Sequence, residues 1–188
     1  MLDVGTFYRE NQSCLFRVWA PLCKQMTLHL VHPDDQKIEM SAQPGGYFVA
    51  DVPNLSPATL YYYQPDEQGD YPDPASHYQP EGVHRASKVV NHHAFSWNDQ
   101  TWTGVNPESL VIYELHVGTF TTEGTFEAII PRLQDLKEIG VTALQLMPIA
   151  QFPGNRNWGY DGVYPYAVQN SYGGPDGLKK LVDAAHAN

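Results

Sequence analysis

The chain has 188 residues, of which 42% are hydrophobic, so that it can build one large or two small cores. Its formal net charge of −10, with only 11 lysines and arginines, argues against binding to nucleic acid, because phosphates are neutralised by clustered basic side chains. No apolar run approaches the roughly 20 residues of a membrane-spanning helix. The N-terminus also lacks a signal-peptide pattern. We therefore expect a soluble cytoplasmic protein that contacts neither nucleic acid nor a membrane.

The cysteines and histidines do not form a recognisable disulfide or metal pattern. Cys14 and Cys23 lie outside any C-x-x-C motif, and we expect both to be reduced thiols. His92 and His93 are adjacent, so their rings point apart in an extended chain, and no third ligand has a suitable spacing. The chain also lacks a P-loop and a G-x-G-x-x-G motif. The sequence therefore predicts no metal and no cofactor.

Short runs of alternating polarity follow one another up to about residue 90. Met26, Leu28 and Leu30 alternate with Thr27 and His29, which is the period of a strand with one buried face. Turn-forming residues separate these runs, and regularly spaced short strands are typical of an antiparallel sandwich. The pattern predicts strands at 14–20, 25–31, 46–52, 59–64 and 87–90.

Strand-like and helix-like patterns alternate after residue 110, beyond a connector that is rich in proline, histidine and tryptophan. Such alternation favours parallel strands joined by helical crossovers. The runs 110–116 and 141–147 are apolar enough for strands that are buried on both faces. A long loop, from Pro148 to Gly174, follows the second strand.

Two helices are predicted in this second part. Thr125 offers an N-cap for the first, Pro131 should kink or delay it, and Gly140 should end it. The apolar positions of this helix recur at helical spacing, at Ile129, Leu133, Leu136 and Ile139. The second helix is expected at 178–187, with Pro175 and Asp176 at its entry.

Two parallel strands cannot cover their own edges, and an open strand edge is a liability. We therefore expect a multidomain chain in which a sandwich precedes the first βαβα part of a TIM (β/α)8 barrel, truncated after its second helix. The whole protein would need at least about 200 further residues to close the barrel. The predicted domains are 1–90 for the sandwich, 91–109 for the connector and 110–188 for the incomplete barrel.

The long loop carries the main candidates for function, because functional residues of such barrels follow the carboxyl ends of the strands. Its aromatic rings suit the apolar faces of sugars, and its polar side chains suit sugar hydroxyls. Tyr160, in the turn from Gly159 to Gly162, is the leading candidate for a sugar-binding residue. Trp158 and Asp161 flank it, and a role for Asp161 in the turn alone is equally open.

Other residues near the loop are expected to be structural. Tyr164, Tyr166 and Tyr172 should pack inside the loop. A lone histidine on a strand is more often structural, with its hydrogen bonds satisfied, than functional, and we expect the same of His116. Glu114 needs a polar partner, because an unpaired buried carboxylate is costly. Retaining glycosidases need two carboxyl groups about 5–5.5 Å apart, and no such pair is recognisable. The sequence therefore predicts a sugar-binding surface and no catalytic residue.

Four tracts resemble a known family, the α-amylase superfamily of glycoside hydrolases, and within it the malto-oligosyltrehalose trehalohydrolases. V-I-Y-E-L-H-V-G-T-F-T, from Val111, resembles the family's first barrel strand. N-W-G-Y-D-G-V-Y-P-Y, from Asn157, and Y-G-G-P-D-G-L-K-K-L-V-D-A-A-H-A-N, from Tyr172, resemble its second-strand loop and second helix. The tract P-D-P-A-S-H-Y-Q-P-E-G-V-H-R-A-S-K-V-V, from Pro72, is more similar to the connector of trehalohydrolases than to that of glycogen branching enzymes.

The resemblance implies an immunoglobulin-like, isoamylase-type N-terminal sandwich and an α-amylase barrel. It implies that Tyr160 stacks on the sugar just before the cleaved bond, with Trp158 and Asp161 beside it. The family's nucleophile Asp, acid/base Glu and second Asp lie on later strands, outside this sequence. The implied activity of the intact parent is hydrolysis of the α-1,4 bond next to the terminal trehalose of maltooligosyl trehalose, and the fragment alone is expected to be inactive.

Two alternatives remain open at this stage. One is another α-amylase-type enzyme, such as a glycogen branching enzyme, which would act on a different α-1,4-glucan. The other is a non-catalytic glucan-binding module that uses the sandwich and the Tyr160 loop. The oligomeric state is open in every case.

Overall fold

The structure, a computed structural model, describes residues 3–188. Within them, eight strands of the first half form two antiparallel sheets. These strands are β1 (Gly5–Tyr8), β2 (Cys14–Trp19), β3 (Met26–His32), β4 (Gln36–Glu39), β5 (Ser41–Gln43), β6 (Tyr47–Val52), β7 (Leu60–Pro65) and β8 (Ser87–Lys88). The first sheet has the order β1-β2-β6-β5, and the second has the order β4-β3-β7-β8.

One hydrophobic core lies between the two sheets. Phe16 of the first sheet and Tyr61 of the second are fully buried, and their rings meet edge to face with centroids 5.0 Å apart. Burial of one such aromatic side chain contributes about 1.5–3 kcal/mol. Cys14 is buried and Cys23 is half-buried, and both are free thiols, as predicted. The predicted strands therefore supply the inward faces of both sheets.

Three strands were not predicted from the sequence. β4 and β5 are mostly exposed edge strands, and β1 is only four residues long. A strand whose two faces are both polar carries no alternating signal, so its position follows from pairing with a neighbour rather than from its own residues.

A buried carboxyl group joins the second sheet to the segment between β7 and β8. Asp73 accepts a hydrogen bond from the Tyr61 hydroxyl (2.7 Å) and one from the Ala75 N–H (2.8 Å). Its own N–H donates to the Ser87 hydroxyl, 3.0 Å away. Burial raises the pKa of the Asp73 carboxyl to about 6, although these hydrogen bonds act in the opposite direction.

The second half contains two parallel strands and four α-helices among the described residues. The strands β9 (Ile112–Leu115) and β10 (Ala143–Leu146) pair in parallel. A second pair, β11 (Ala150–Gln151) and β12 (Tyr164–Val168), is antiparallel. The helices are α1 (Val117–Phe120), α2 (Phe126–Ile129), α3 (Leu133–Glu138) and α4 (Gly174–Ala187). The predicted strand-helix-strand-helix order is present.

The predicted helix signals act as expected. The Thr125 hydroxyl accepts a hydrogen bond from the Ala128 N–H (3.3 Å) and caps α2. Pro131 lies in a short 3-10 turn that separates α2 from α3. Gly140 follows the end of α3 with a φ of 93°, a conformation that favours glycine.

Three predictions about this half were wrong. β9 is not buried on both faces: Ile112 is 56% exposed, because β9 pairs with β10 and with no further strand within residues 3–188. Ile139 is also exposed, because α3 ends at Glu138 and the chain leaves the helical stripe there. α4 begins at Gly174 rather than at 178, since the Gly-Pro-Asp entry is already helical.

The connector is fastened to the far end of α4. The Trp102 ring stacks on the His186 ring with centroids 3.7 Å apart, and the His186 Nδ1 lies 2.7 Å from the Asp99 carboxylate. Asn98 bonds the carboxylate of Asp183 through both its backbone N–H and its side chain. Within residues 3–188, no helix is both long enough and apolar enough to cross a bilayer.

Candidate functional site

The loop after β10 is built on a hairpin rather than being irregular throughout, which corrects the prediction of a plain long loop. β11 and β12 flank an excursion from Phe152 to Val163, which we call the aromatic loop. The Val163 N–H donates to the Gln151 carbonyl (2.8 Å) and closes its base. The sequence did not reveal this hairpin, because β11 has only two residues and the excursion is long.

Buried amide side chains support the base of the aromatic loop. The Gln169 side chain accepts a hydrogen bond from the Phe152 N–H (2.9 Å) and donates to the Gly154 carbonyl (3.0 Å). The Gln151 side chain accepts from the Asn170 N–H (2.9 Å). Both glutamines are fully buried. These contacts were not predicted, because their partners lie 15 to 19 residues apart in the chain.

Two predicted site residues are the most exposed aromatic side chains of the aromatic loop. Tyr160 is 72% exposed and Trp158 is 70% exposed, although both lie in an ordered turn. Tyr164 and Tyr172 are buried, as predicted, but the prediction of a packing role for Tyr166 was wrong, since it is 62% exposed. The register of β11 against β12 shifts between Ala150 and Gln151, so Tyr166 does not follow Tyr164 inward.

A tight turn holds Tyr160 in this position. Gly159 has a φ of 97°, and a Cβ on it would lie 2.2 Å from the Pro148 carbonyl oxygen. Its N–H donates to the Asn157 side-chain oxygen (2.7 Å), and the Asn157 side-chain nitrogen donates to the Asp161 carboxylate (3.0 Å). Asp161 therefore has the turn-forming contact that the sequence left open, while its side chain remains at the exposed surface. We call residues 157–161 the lip.

The first parallel strand reaches the lip through a histidine. The His116 Nε2 lies 2.7 Å from the Asn157 carbonyl oxygen, and its ring meets the Trp158 ring edge to face with centroids 6.0 Å apart. The His116 ring is also 6.0 Å from that of Tyr172. The sequence predicted a satisfied structural histidine at this position, without showing what it contacts.

Carboxylates and histidines elsewhere do not extend this site. Glu114 accepts a hydrogen bond from the Gln145 side chain (3.1 Å), so the partner of this strand carboxylate is an amide. His92 contacts His77, with Nε2 and Nδ1 3.4 Å apart, and partial desolvation, together with the Lys179 charge, lowers the pKa of His92 to about 4 although its side chain remains exposed. Among residues 3–188, no group of three His, Cys, Asp or Glu side chains is placed to hold a metal ion.

One groove on the described part of the chain lies away from the lip. It has a volume of about 580 Å³ and lies between α3, β10 and α4, with Leu133, Leu144 and Leu181 among its lining residues. Its lining is mostly apolar, whereas sugars require polar partners beside an aromatic surface. The lip therefore remains the candidate site, as an exposed surface rather than a cavity.

Comparisons with known proteins find relatives among malto-oligosyltrehalose trehalohydrolases and a glucan branching enzyme. A malto-oligosyltrehalose trehalohydrolase from Saccharolobus solfataricus is 52% identical over 177 residues, which cover 94% of this chain and 31% of that protein. A 1,4-alpha-glucan branching enzyme GlgB from Pseudoalteromonas atlantica is 29% identical and covers 100% of this chain and 28% of that protein. The chain spans about 30% of the length of the curated relatives that it matches.

Solved structures and a family model agree with these relatives. A crystal structure from Salmonella typhimurium, described as an alpha-amylase, has a TM-score of 0.92 and 42% identity, over 98% of this chain and 31% of that one. A pullulanase from Anoxybacillus sp. LM18-11, complexed with maltotetraose, has a TM-score of 0.78 and 25% identity, over 97% of this chain and 32% of that one. The family model "Alpha amylase, catalytic domain" matches residues 59–188, and the chain therefore belongs to the alpha-amylase family.

Proposed function

We propose that the chain forms part of a glycoside hydrolase that cleaves the α-1,4-glucosidic bond next to the terminal trehalose of maltooligosyl trehalose and releases trehalose. The observation that carries this proposal is the exposure of Tyr160 and Trp158 on a turn fixed by hydrogen bonds. An aromatic ring normally stabilises the folded state by packing in the interior. Two rings that are presented outward instead favour a ligand with flat apolar faces. The relative that is 52% identical supplies the choice of substrate.

In this proposal, Tyr160 stacks on a glucose ring, with Trp158 and Asp161 beside it. The catalytic carboxyl groups come from strands that follow α4 in a complete (β/α)8 barrel, of which β9 and β10 are the first two. The eight-stranded sandwich is of the immunoglobulin-like isoamylase type, and the predicted boundaries 1–90, 91–109 and 110–188 separate the three parts. The two free cysteines are compatible with a cytoplasmic location, which stays a prediction.

An exchange of segments tests the proposed substrate. In the full-length Saccharolobus solfataricus relative, the matched segment is replaced by this chain, and release of trehalose from maltotriosyl trehalose is measured. We expect the chimera to release trehalose faster than the same chimera carrying Tyr160→Ala. A folded chimera that releases no trehalose while the parent enzyme is active under the same conditions would refute it.

A non-catalytic glucan-binding role is the second candidate. It is favoured by the exposed lip, because the Tyr160 and Trp158 rings need no catalytic group in order to bind a glucan. This role predicts that the 188-residue chain alone binds maltotetraose, measured by titration calorimetry. Binding by the chain, together with an inactive chimera, would select this role over the hydrolase.

A further inference from the structure

We infer that His116 is a positioning residue for the lip: its Nε2–H holds the Asn157 carbonyl and thereby fixes Trp158 and Tyr160 in the arrangement that binds sugar. This inference rests on the proposed function for the identity of the ligand. The contact itself is a feature of the structure whatever the ligand is: the His116 Nε2 lies 2.7 Å from the Asn157 carbonyl oxygen.

The hydrogen-bonding partners decide which ring nitrogen carries the proton. A backbone carbonyl oxygen can only accept, so the Nε2 atom that faces Asn157 must be the donor. The Nδ1 atom then has a free lone pair, and the Thr119 hydroxyl, 3.3 Å away, is placed to donate to it. The Tyr172 hydroxyl is 3.3 Å from Nε2, and it cannot donate there while Nε2 carries its hydrogen.

The bond to His116 differs from the other bonds of Asn157. The Asn157 side chain bonds Gly159 and Asp161, and both of these contacts stay inside the lip. The carbonyl bond instead ties the lip to a residue 41 positions earlier in the chain, at the end of β9. Loss of this bond would therefore release the lip from the strand end and leave only the bonds inside the turn, including that of the Gly159 N–H, to hold its shape.

His116 itself is held in place. It directly follows Leu115, which is buried, and it is the N-cap residue immediately before α1. Its ring rests on Tyr172, which packs edge to face against both Phe126 and Phe152. A Cβ on Gly118 would lie 3.0 Å from the Tyr172 ring, so the strand end and the Tyr172 ring fit closely together. Packing of this kind gives the histidine one orientation.

A fixed lip binds more tightly than a mobile one, because the ligand then does not have to order it. If His116 supplies this order, removal of its donor should weaken sugar binding without unfolding the chain. The variants His116→Met and His116→Gln are a matched pair of similar length, of which only glutamine can donate a hydrogen bond. Tyr172→Phe tests the proton assignment, since it removes the hydroxyl but keeps the ring.

The experiment measures two quantities for the wild type and for each variant: the affinity for maltotetraose by titration calorimetry, and the hydrogen exchange rate of the amides in residues 157–161. Thermal unfolding confirms that each variant is folded. We expect His116→Met to weaken binding by about tenfold or more and to speed exchange at Gly159. We expect His116→Gln and Tyr172→Phe to stay within about threefold of the wild type in both quantities.

Each contrary outcome has a distinct meaning. The positioning role is overturned if His116→Gln weakens binding and speeds exchange as much as His116→Met does. It is also overturned if His116→Met matches the wild type in both quantities. If Tyr172→Phe matches His116→Met, the hydroxyl is the donor and the proton assignment is wrong. If the wild type binds no maltotetraose, the glucan-binding role of the chain alone fails, the chimera still tests the hydrolase, and the exchange rates decide whether His116 holds the lip.

Discussion

The hydroxyl of Tyr164 on β12 donates a hydrogen bond to the backbone carbonyl of Val83, 2.8 Å away and 81 residues earlier in the chain. A second bond runs from the Asn170 side chain to the Pro80 carbonyl (3.0 Å). The hairpin that carries the aromatic loop is therefore supported by the segment between β7 and β8 as well as by the parallel strands.

The first prediction concerns this Tyr164 bond. Tyr164→Phe removes the hydroxyl and leaves the buried Val83 carbonyl without its donor, so we expect the free energy of unfolding to fall by about 1–2 kcal/mol. Urea unfolding measures it. Tyr166→Phe is the matched control, because Tyr166 is exposed on the same strand, and it should change stability by less than about 0.5 kcal/mol. Equal losses for the two variants would contradict the prediction.

The second prediction concerns the exposed ring of the lip. Tyr160→Ala should weaken maltotetraose binding by about tenfold, which corresponds to about 1.4 kcal/mol, because the stacking surface is lost. Tyr160→Phe should retain most of the affinity, since it keeps the ring. Trp19→Ala removes an exposed aromatic of the sandwich and should leave binding unchanged. The assignment of Tyr160 would fail if alanine at this position bound maltotetraose as well as the wild type does.

The third prediction concerns the glycine before Tyr160. Gly159→Ala places a Cβ 2.2 Å from the Pro148 carbonyl oxygen in a backbone conformation with positive φ, so the turn must move. We expect a loss of about 2–3 kcal/mol in the free energy of unfolding, together with weaker binding. Gly154→Ala has a similar φ of 75° but open space around the new Cβ, and it should cost only about 1 kcal/mol. A comparison of the two by urea unfolding separates the clash from the backbone strain.

The fourth prediction is a pH dependence from Asp73. Its pKa rises from 3.8 to about 6 on folding, so the folded state binds the proton more tightly than the unfolded state does. The stabilisation that this proton provides is complete below pH 3.8 and is lost as the pH rises through about 6, by at most about 3 kcal/mol. Asp73→Asn cannot ionise, and its stability relative to the wild type should rise across this range.

Urea unfolding at several pH values between 4 and 7 measures this difference. Contributions from other titrating groups are common to both proteins and cancel when the two curves are subtracted. Asp34→Asn, at an exposed aspartate, is the control and should give parallel curves. Parallel curves for Asp73→Asn as well would show that the carboxyl group does not change its proton affinity on folding.

The sequence predicted those parts of the fold that have a local signal. β2 and β3 alternate in polarity. Thr125, Pro131 and Gly140 start, interrupt and end the helical segment through backbone groups within a few residues of themselves. β4 carries no such signal, because an exposed edge strand is defined by hydrogen bonds to its neighbour.

The candidate site shows the same division. Tyr160 and Trp158 could be selected from the sequence, because their residue types and the flanking glycine are visible there. The contact between His116 and Asn157 could not, since it depends on how two segments 41 residues apart are brought together. The exposure of Tyr166 also escaped prediction, because it depends on a register shift in a hairpin that the sequence did not reveal.

The fastening of α4 by the connector has a consequence for the order of folding. Asn98 and Asp99 meet their partners Asp183 and His186 across separations of 85 and 87 residues. During synthesis these contacts cannot form until the last turn of α4 has left the ribosome, whereas the β3–β4 pair needs only adjacent residues. The two antiparallel sheets can therefore fold while the chain is still growing, and the contacts that fasten α4 to the connector form after them.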